Sequence, residues 1–227
     1  MVQQAPVAAP LTGFVYRSPA ARGVKPRMLD EDRLIARAAA GETSAFRSLY
    51  EHHRADVARL VYRMLGPRSD MEDVIQEVFV QVYKSLRDFR GQSKFSTWLH
   101  RVTVNVVLMY RRAAKSRPVF ADEPAMDAAL RSNDIAPDED AERRERVRAF
   151  GRLLDKLADK KRIVFILHEL EGIAPGEIAM IVGAPVLTVR TRLFYARREL
   201  EAMLPEEPSL AGMQLSFSKA SGVGGET

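Results

Sequence analysis

The residues that this chain sets at regular spacing for work on another molecule are cations, amides and hydroxyls. From Lys84 to Arg117 there are nine Lys/Arg and one acid, Asp88. Within that stretch Arg90, Gly91, Gln92, Ser93 and Lys94 form a short polar loop. Trp98, Arg101 and Asn105 follow, and then the cluster Arg111, Arg112 and Lys115. Cations neutralise phosphate, amides and hydroxyls read base edges free of pairing, and an aromatic face stacks on any base for about 1–3 kcal/mol. The segment therefore suits distorted or single-stranded nucleic acid. Trp98 reads in two ways, as a half-buried core residue or as a wall against an unstacked base. A second set is Thr188, Arg190, Thr191, Arg192, Tyr195, Arg197 and Arg198. Arg190 and Arg197 are seven apart, so on a helix they point the same way. Arginine grips guanine bidentately or holds phosphate, and threonine meets a base edge or a thymine methyl.

A third set carries a different chemistry. Asp73, Gln76, Glu77 and Val80 stand at i, i+3, i+4 and i+7, which is one face of a helix. That face is either a solvated acidic surface or a docking patch for a basic or amide-rich partner. No catalytic site is evident, so the chain reads as no enzyme, and no cofactor is expected. Glu51, His52 and His53 invite a metal reading. Adjacent histidines on a helix point in different directions, and no further ligand follows at a suitable spacing, so no metal site is expected. The chain has no cysteine, which removes disulfides, thiolate chemistry and cysteine-ligated zinc.

The elements that must position these residues read as helices throughout. Apolar residues recur at three and four from Asp30 to Leu65, broken at Gly41 and stopped by Gly66-Pro67. Ser69 and Glu72 have capping-box spacing for a third helix on Val74, Ile75, Val78, Phe79, Val82, Tyr83 and Leu86. Thr43, Ser96 and Asp159 are candidate caps of the second, fourth and sixth helices. The fourth runs to about Arg112, with Trp98, Leu99, Val102, Val106 and Met109 on its apolar side. After a Pro- and acid-rich stretch, Val147 to Leu157 and Ile163 to Leu170 give two more helices. Glu177 to Val182, the turn Gly183-Ala184-Pro185 and a long basic helix Val186 to Met203 have the order of a helix-turn-helix. Val189, Leu193, Ala196 and Leu200 are its inward face.

The expected fold is all-α, with two helical domains joined by a flexible acidic linker and the helix-turn-helix in the second. The expected boundaries are a flexible arm at 1–27, a first domain at 28–117, the linker at 118–137, a second domain at 138–205 and a tail at 206–227. Composition supports this division. Net charge is +5 with pI about 9.6, yet eight acids and one base lie between Phe120 and Glu142. The positive charge is therefore concentrated on either side of an acidic bridge, which favours a polyanionic partner for the folded parts. No apolar run approaches a membrane span, so no membrane insertion is expected, and the N-terminus does not read as a secretory signal.

These motifs together resemble the bacterial extracytoplasmic-function (ECF) sigma factors, group 4 of the sigma-70 family, which keep only the second and fourth conserved domains. The matching text is Asp73-Val74-Ile75-Gln76-Glu77-Val78-Phe79, Phe89-Arg90-Gly91, Phe95-Ser96-Thr97-Trp98-Leu99, Asn105 and Arg111-Arg112. In the second half it is Leu167-His168-Glu169-Leu170-Glu171-Gly172, Glu177-Ile178-Ala179, Thr188-Val189-Arg190-Thr191-Arg192-Leu193 and Ala196-Arg197. The resemblance covers roughly residues 30–204.

The resemblance implies a sigma factor that joins core RNA polymerase, recognises −10 and −35 promoter elements and promotes DNA opening. Asp73, Gln76, Glu77 and Val80 would meet the clamp of the largest polymerase subunit. The Arg90–Lys94 loop, Trp98 and Asn105 would recognise the −10 element and capture a flipped base of the non-template single strand. Arg101, Arg111, Arg112 and Lys115 would support the backbone of the opened DNA. The helix from Val186 would enter the −35 major groove of double-stranded DNA, and its domain would meet the flap of the second-largest subunit. An anti-sigma factor is an implied partner. The implied location is cytoplasmic and nucleoid-associated with polymerase, with an anti-sigma factor as the means of holding the protein at a membrane. The chain departs from the family pattern at Leu157-Ala158, where Leu-Pro is common, at Ala174, where Ser or Thr is common, and at Leu187, often polar or Gly. Those changes bear on promoter preference. A conventional helix-turn-helix regulator that never joins polymerase is the competing reading. It leaves the Asp73–Val80 face and the basic loop unexplained.

Overall fold

The computed structural model describes residues 28–116, 137–210, 213, 215 and 217. Lys115 is placed on a helix, but its side chain lies outside the described residues, as does the possible short helix at Met126–Leu130. Among the described residues all regular structure is helical: α1 Met28–Ala39, α2 Thr43–Leu65, α3 Met71–Ser85, α4 Phe95–Ser116, α5 Pro137–Lys156, α6 Asp159–Phe165, α7 Pro175–Val182 and α8 Val186–Met203. Short 3-10 turns follow α3 at Leu86–Asp88 and α8 at Leu204–Glu206 and Pro208–Leu210. A π-helical turn, Ile166–Leu170, continues α6.

The described helices form two compact units. One holds α1 to α4 and takes in the stretch 176–186. The other holds α5, α6 with its π-turn, and the described residues from Leu187 onward.

In the first unit α2 supplies the central stripe: Ala45, Leu49, Val57, Leu60, Val61, Met64 and Leu65 are buried at the three-four spacing of the sequence. Val74, Ile75, Val78, Phe79 and Val82 of α3 meet the same core. Leu99, Val104, Val106 and Val107 of α4 complete it. Each fully buried side chain of this size contributes about 1.5–3 kcal/mol through removal from water. Gly66 ends α2 at φ 73°, and its N–H donates to the Tyr62 carbonyl at 2.8 Å. Only glycine enters that region without a steric penalty.

The helix starts differ from expectation. Asp70, not Ser69, precedes the first residue of α3, and no side chain caps that end. Asp70 instead accepts from the Tyr110 hydroxyl and from Arg68, whose Nε lies at 3.1 Å. The acid is used to hold α4 beside the start of α3. Thr43 and Asp159 are first residues of their helices, preceded by Glu42 and Ala158, and neither preceding side chain makes a capping hydrogen bond. Ser96 likewise lies inside α4, which starts at Phe95.

In the second unit Ala149, Leu153 and Leu154 of α5, with Leu157 just after it, are buried with Ile163 to Leu167 and with Val189, Leu193, Ala196 and Leu200 of α8. Arg162 is almost fully enclosed and bonds Asp155, with Asp159 at 3.6 Å. A guanidinium taken out of water is tolerable when carboxylates and hydrogen bonds surround it. Packing continues beyond α8. Leu204 and Leu210 are buried, and Glu207 accepts from Arg152 at 2.8 Å. Phe217 stands edge-on to Phe165 with ring centroids 6.0 Å apart. Leu210 and Phe217, after Pro205, thus pack on this unit.

Candidate nucleic-acid interface

Asp73, Gln76, Glu77 and Val80 all lie on the exposed side of α3, opposite Val74, Ile75, Val78, Phe79 and Val82. Glu77 accepts from Gln81 Nε2 at 2.7 Å. Val80 and Tyr83, 43% and 52% exposed, add apolar surface beside the acids. An acidic face with an apolar strip suits a protein partner that brings cations and a few apolar side chains.

The loop before α4 is held by aromatic rings. Phe89, Phe95 and Trp98 contact one another with centroids 5.3 to 5.7 Å apart. Trp98 is half-buried, so part of the indole completes this cluster and part remains open to solvent. Gly91 reverses the chain at φ 69°. Arg90, Gln92 and Lys94 are exposed there, with Ser93 half-buried.

From Trp98 the spacing places Arg101, Asn105 and Arg112 along one open side of α4, and all three are exposed. Met109 belongs to that side too. It is 63% exposed rather than part of the core, and Thr103, Val104 and Val107 are buried instead. The signal for this was its place four after Asn105 and three before Arg112. Arg111 is different: it is half-buried, and its Nη1 reaches toward the Met64 carbonyl at 3.5 Å.

The helix-turn-helix stretch has α7, a turn with Gly183 at φ 61°, and α8 in that order. The Ala184 N–H donates to the Ala179 carbonyl at 3.1 Å, which closes α7. On α8, Arg190, Thr191, Tyr195 and Arg198 are exposed, while Thr188 and Arg192 are half-buried. Leu187, singled out in the sequence, is 74% exposed on this face, and Phe194, which the sequence reading missed, is 56% exposed and edge-on to Tyr195. Their i, i+7 relation to one another, and the i+4 steps to Thr191 and Arg198, carried the signal. Arg197 is turned inward. Its Nε donates to Glu169 Oε1 at 2.8 Å, Glu169 is nearly buried, and the guanidinium stands 5.2 Å from the Phe217 ring centroid.

The arrangement offers two exposed cationic helix faces, one joined to an aromatic cluster, and one acidic face. Its chemistry is recognition through charge, amide groups and stacking.

The model of Sigma-70 region 2 matches residues 49–117, and that of Sigma-70, region 4 matches residues 148–200. The ECF RNA polymerase sigma-E factor of Escherichia coli (strain K12) is 36% identical over 181 residues, covering 76% of this chain and 93% of that protein. The factor of the same description from Haemophilus influenzae is also 36% identical, over 180 residues, covering 76% and 94%. Among solved structures, CnrH in complex with the cytosolic domain of CnrY is 29% identical with a TM-score of 0.58, covering 78% of this chain and 99% of that one. The sigma factor RpoE in complex with the anti-sigma factor NepR from Bartonella quintana shares the fold, with a TM-score of 0.55 at 19% identity and coverage of 70% and 96%. Two sigma-70 regions in order, and relatives of this identity spanning most of both chains, show that the chain belongs to the ECF sigma factors of the sigma-70 family.

Proposed function

We propose that the three faces divide the work of a sigma factor. The α3 face of Asp73, Gln76, Glu77 and Val80 docks on the largest subunit of core RNA polymerase. The loop Arg90 to Lys94, with Trp98 and Asn105, receives the −10 element and an unstacked base of the non-template strand. Arg101, Arg112 and Lys115 run with the phosphates of the opened strand, and Arg111 braces α4 against the end of α2. The α8 face of Thr188, Arg190, Thr191, Arg192, Tyr195 and Arg198 enters the −35 major groove. Arg197 contributes by fixing α8 on Glu169.

The observation that carries this reading is the stripe Arg101, Asn105 and Arg112, exposed on α4 in line with the half-buried Trp98 that follows the loop. A regulator that only binds duplex through a helix-turn-helix has no use for a second, aromatic-backed face. Unstacking costs on the order of a few kcal/mol per step, so stacking and phosphate neutralisation must act together. The energy for opening comes from binding, and no catalytic step is assigned to the chain. An anti-sigma factor would cover these same faces; a structural relative, the sigma factor RpoE from Bartonella quintana, is in complex with one, NepR. The protein acts in the cytoplasm with polymerase, and tethering by a membrane-bound anti-sigma factor is the finer expectation.

Core association tests the division. Gln76→Ala with Glu77→Lys should weaken co-elution with core polymerase, while Asn105→Ala should leave it unchanged and reduce open complexes. Equal effects of the two variants on core binding would refute the assignment of faces.

A further inference from the structure

The histidines set aside in the sequence acquire a third neighbour in the fold. Glu51 is not that neighbour. Glu31, from α1, is brought to His52 and His53 of α2, and one ligand atom from each lies within 4.8 Å of the others. His53 Nε2 and Glu31 Oε1 are already 3.0 Å apart. The two rings stand edge to face with centroids 4.7 Å apart, so the adjacent histidines do converge. His53 is buried and packs on Phe95 at 5.1 Å between centroids, which fixes its ring. His52 is exposed and Glu31 half-exposed, so both are able to rotate.

We propose that Glu31, His52 and His53 form a binding site for one borderline divalent transition-metal ion, with zinc as the type case, and that the ion clips α1 to α2. Two imidazoles and a carboxylate favour such ions over magnesium or calcium, which prefer oxygen-only shells. Bonds of about 2.0 Å at tetrahedral angles separate ligand atoms by roughly 3.3 Å. The His53–Glu31 pair is close to that spacing already. His52 closes the remainder by turning about its own side-chain bonds. The fourth position faces solvent and takes water. When Nε2 of His53 ligates, the neutral ring carries its proton on Nδ1.

The placement gives the ion a consequence. α1 is held to the rest of its unit partly through this contact, and His53 leans on Phe95, the first residue of α4. An ion here would stiffen the support of the aromatic cluster without touching the faces assigned to polymerase or DNA.

The test uses the full-length protein without a histidine tag, titrated with zinc chloride by calorimetry and followed by thermal unfolding. Wild type should bind one zinc saturably, and zinc should raise its Tm; magnesium should do neither. His52→Ala, at an exposed position, and Glu31→Gln should each bind zinc at least tenfold more weakly and lose the Tm response. If Glu31 and His53 form only a hydrogen bond between helices, Glu31→Gln lowers the Tm but zinc leaves wild type unchanged. Absence of saturable zinc binding in wild type, or equal affinity in all three proteins, overturns the proposal.

Discussion

Replacing Arg101 and Arg112 together by alanine gives a quantitative test of the α4 face. Both are exposed and lie 11 residues apart on one side of a continuous helix. At 1.5 Å per residue the separation along the axis is about 16 Å. That is the length of roughly five base pairs, so the two cations meet different phosphates. Neutralising one phosphate contributes a slope of about −0.9 to log K against log salt on duplex and about −0.7 on a single strand. Loss of both contacts should therefore flatten the slope by about 1.4 to 1.8. Between 50 and 200 mM salt the wild-type affinity should then fall roughly tenfold further than that of the double variant. Neither residue belongs to the buried core, so the helix content and Tm should be unchanged. The assay is fluorescence anisotropy of holoenzyme on a promoter fragment across a salt series. A slope unchanged to within about 0.3, with weaker binding at every salt, would refute phosphate contact by these side chains.

Three other perturbations probe different links. Arg190→Ala should reduce binding to fragments that contain the −35 element and lower the salt slope by about 0.9, with no change on −10-only fragments; unchanged −35 affinity would remove it from the interface. Leu60→Ala, at a position with no exposure, should destabilise the first unit by about 2–5 kcal/mol in denaturant titration. Asp70 bears on pH dependence. Burial pushes its carboxyl up, but the Tyr110 hydroxyl and Arg68 outweigh that and hold it below the usual value. A carboxyl depressed in the folded state adds stability that is present above its unfolded pKa and lost as pH falls through the folded value. Asp70→Asn should therefore lower the Tm at neutral pH and flatten its fall below about pH 4; parallel curves would contradict this.

The helices were legible because their apolar spacing is regular. Val186 to Met203 reads the same in sequence and structure, since Val189, Leu193, Ala196 and Leu200 admit only one inward face. The helix starts were not. Ser69 and Glu72 had capping spacing, but Asp70 is claimed by Tyr110, 40 residues away, and the chain enters α3 one residue later. Met109 read as core because apolar type was followed before position, although the polar stripe on either side of it marks an open face. Arg197 has the spacing of a DNA-facing cation, and its pairing with Glu169 across 28 residues is invisible to periodicity. The same holds for Glu207 with Arg152 and for Glu31 with His53. Long-range pairs decide which polar residues remain available to a partner, and a single sequence shows only that they are polar. The family, by contrast, was legible, because several motifs occur in order on both halves of the chain.

The central claim is that this chain confers promoter-specific initiation on polymerase. Run-off transcription with bacterial core polymerase, with and without the protein, on promoter fragments from its own genome tests it most directly. Discrete transcripts that require the protein, and that are lost with Asn105→Ala together with Arg190→Ala, are the predicted result. Sequence-specific DNA binding without initiation or association with core would contradict the account and favour a regulator acting alone.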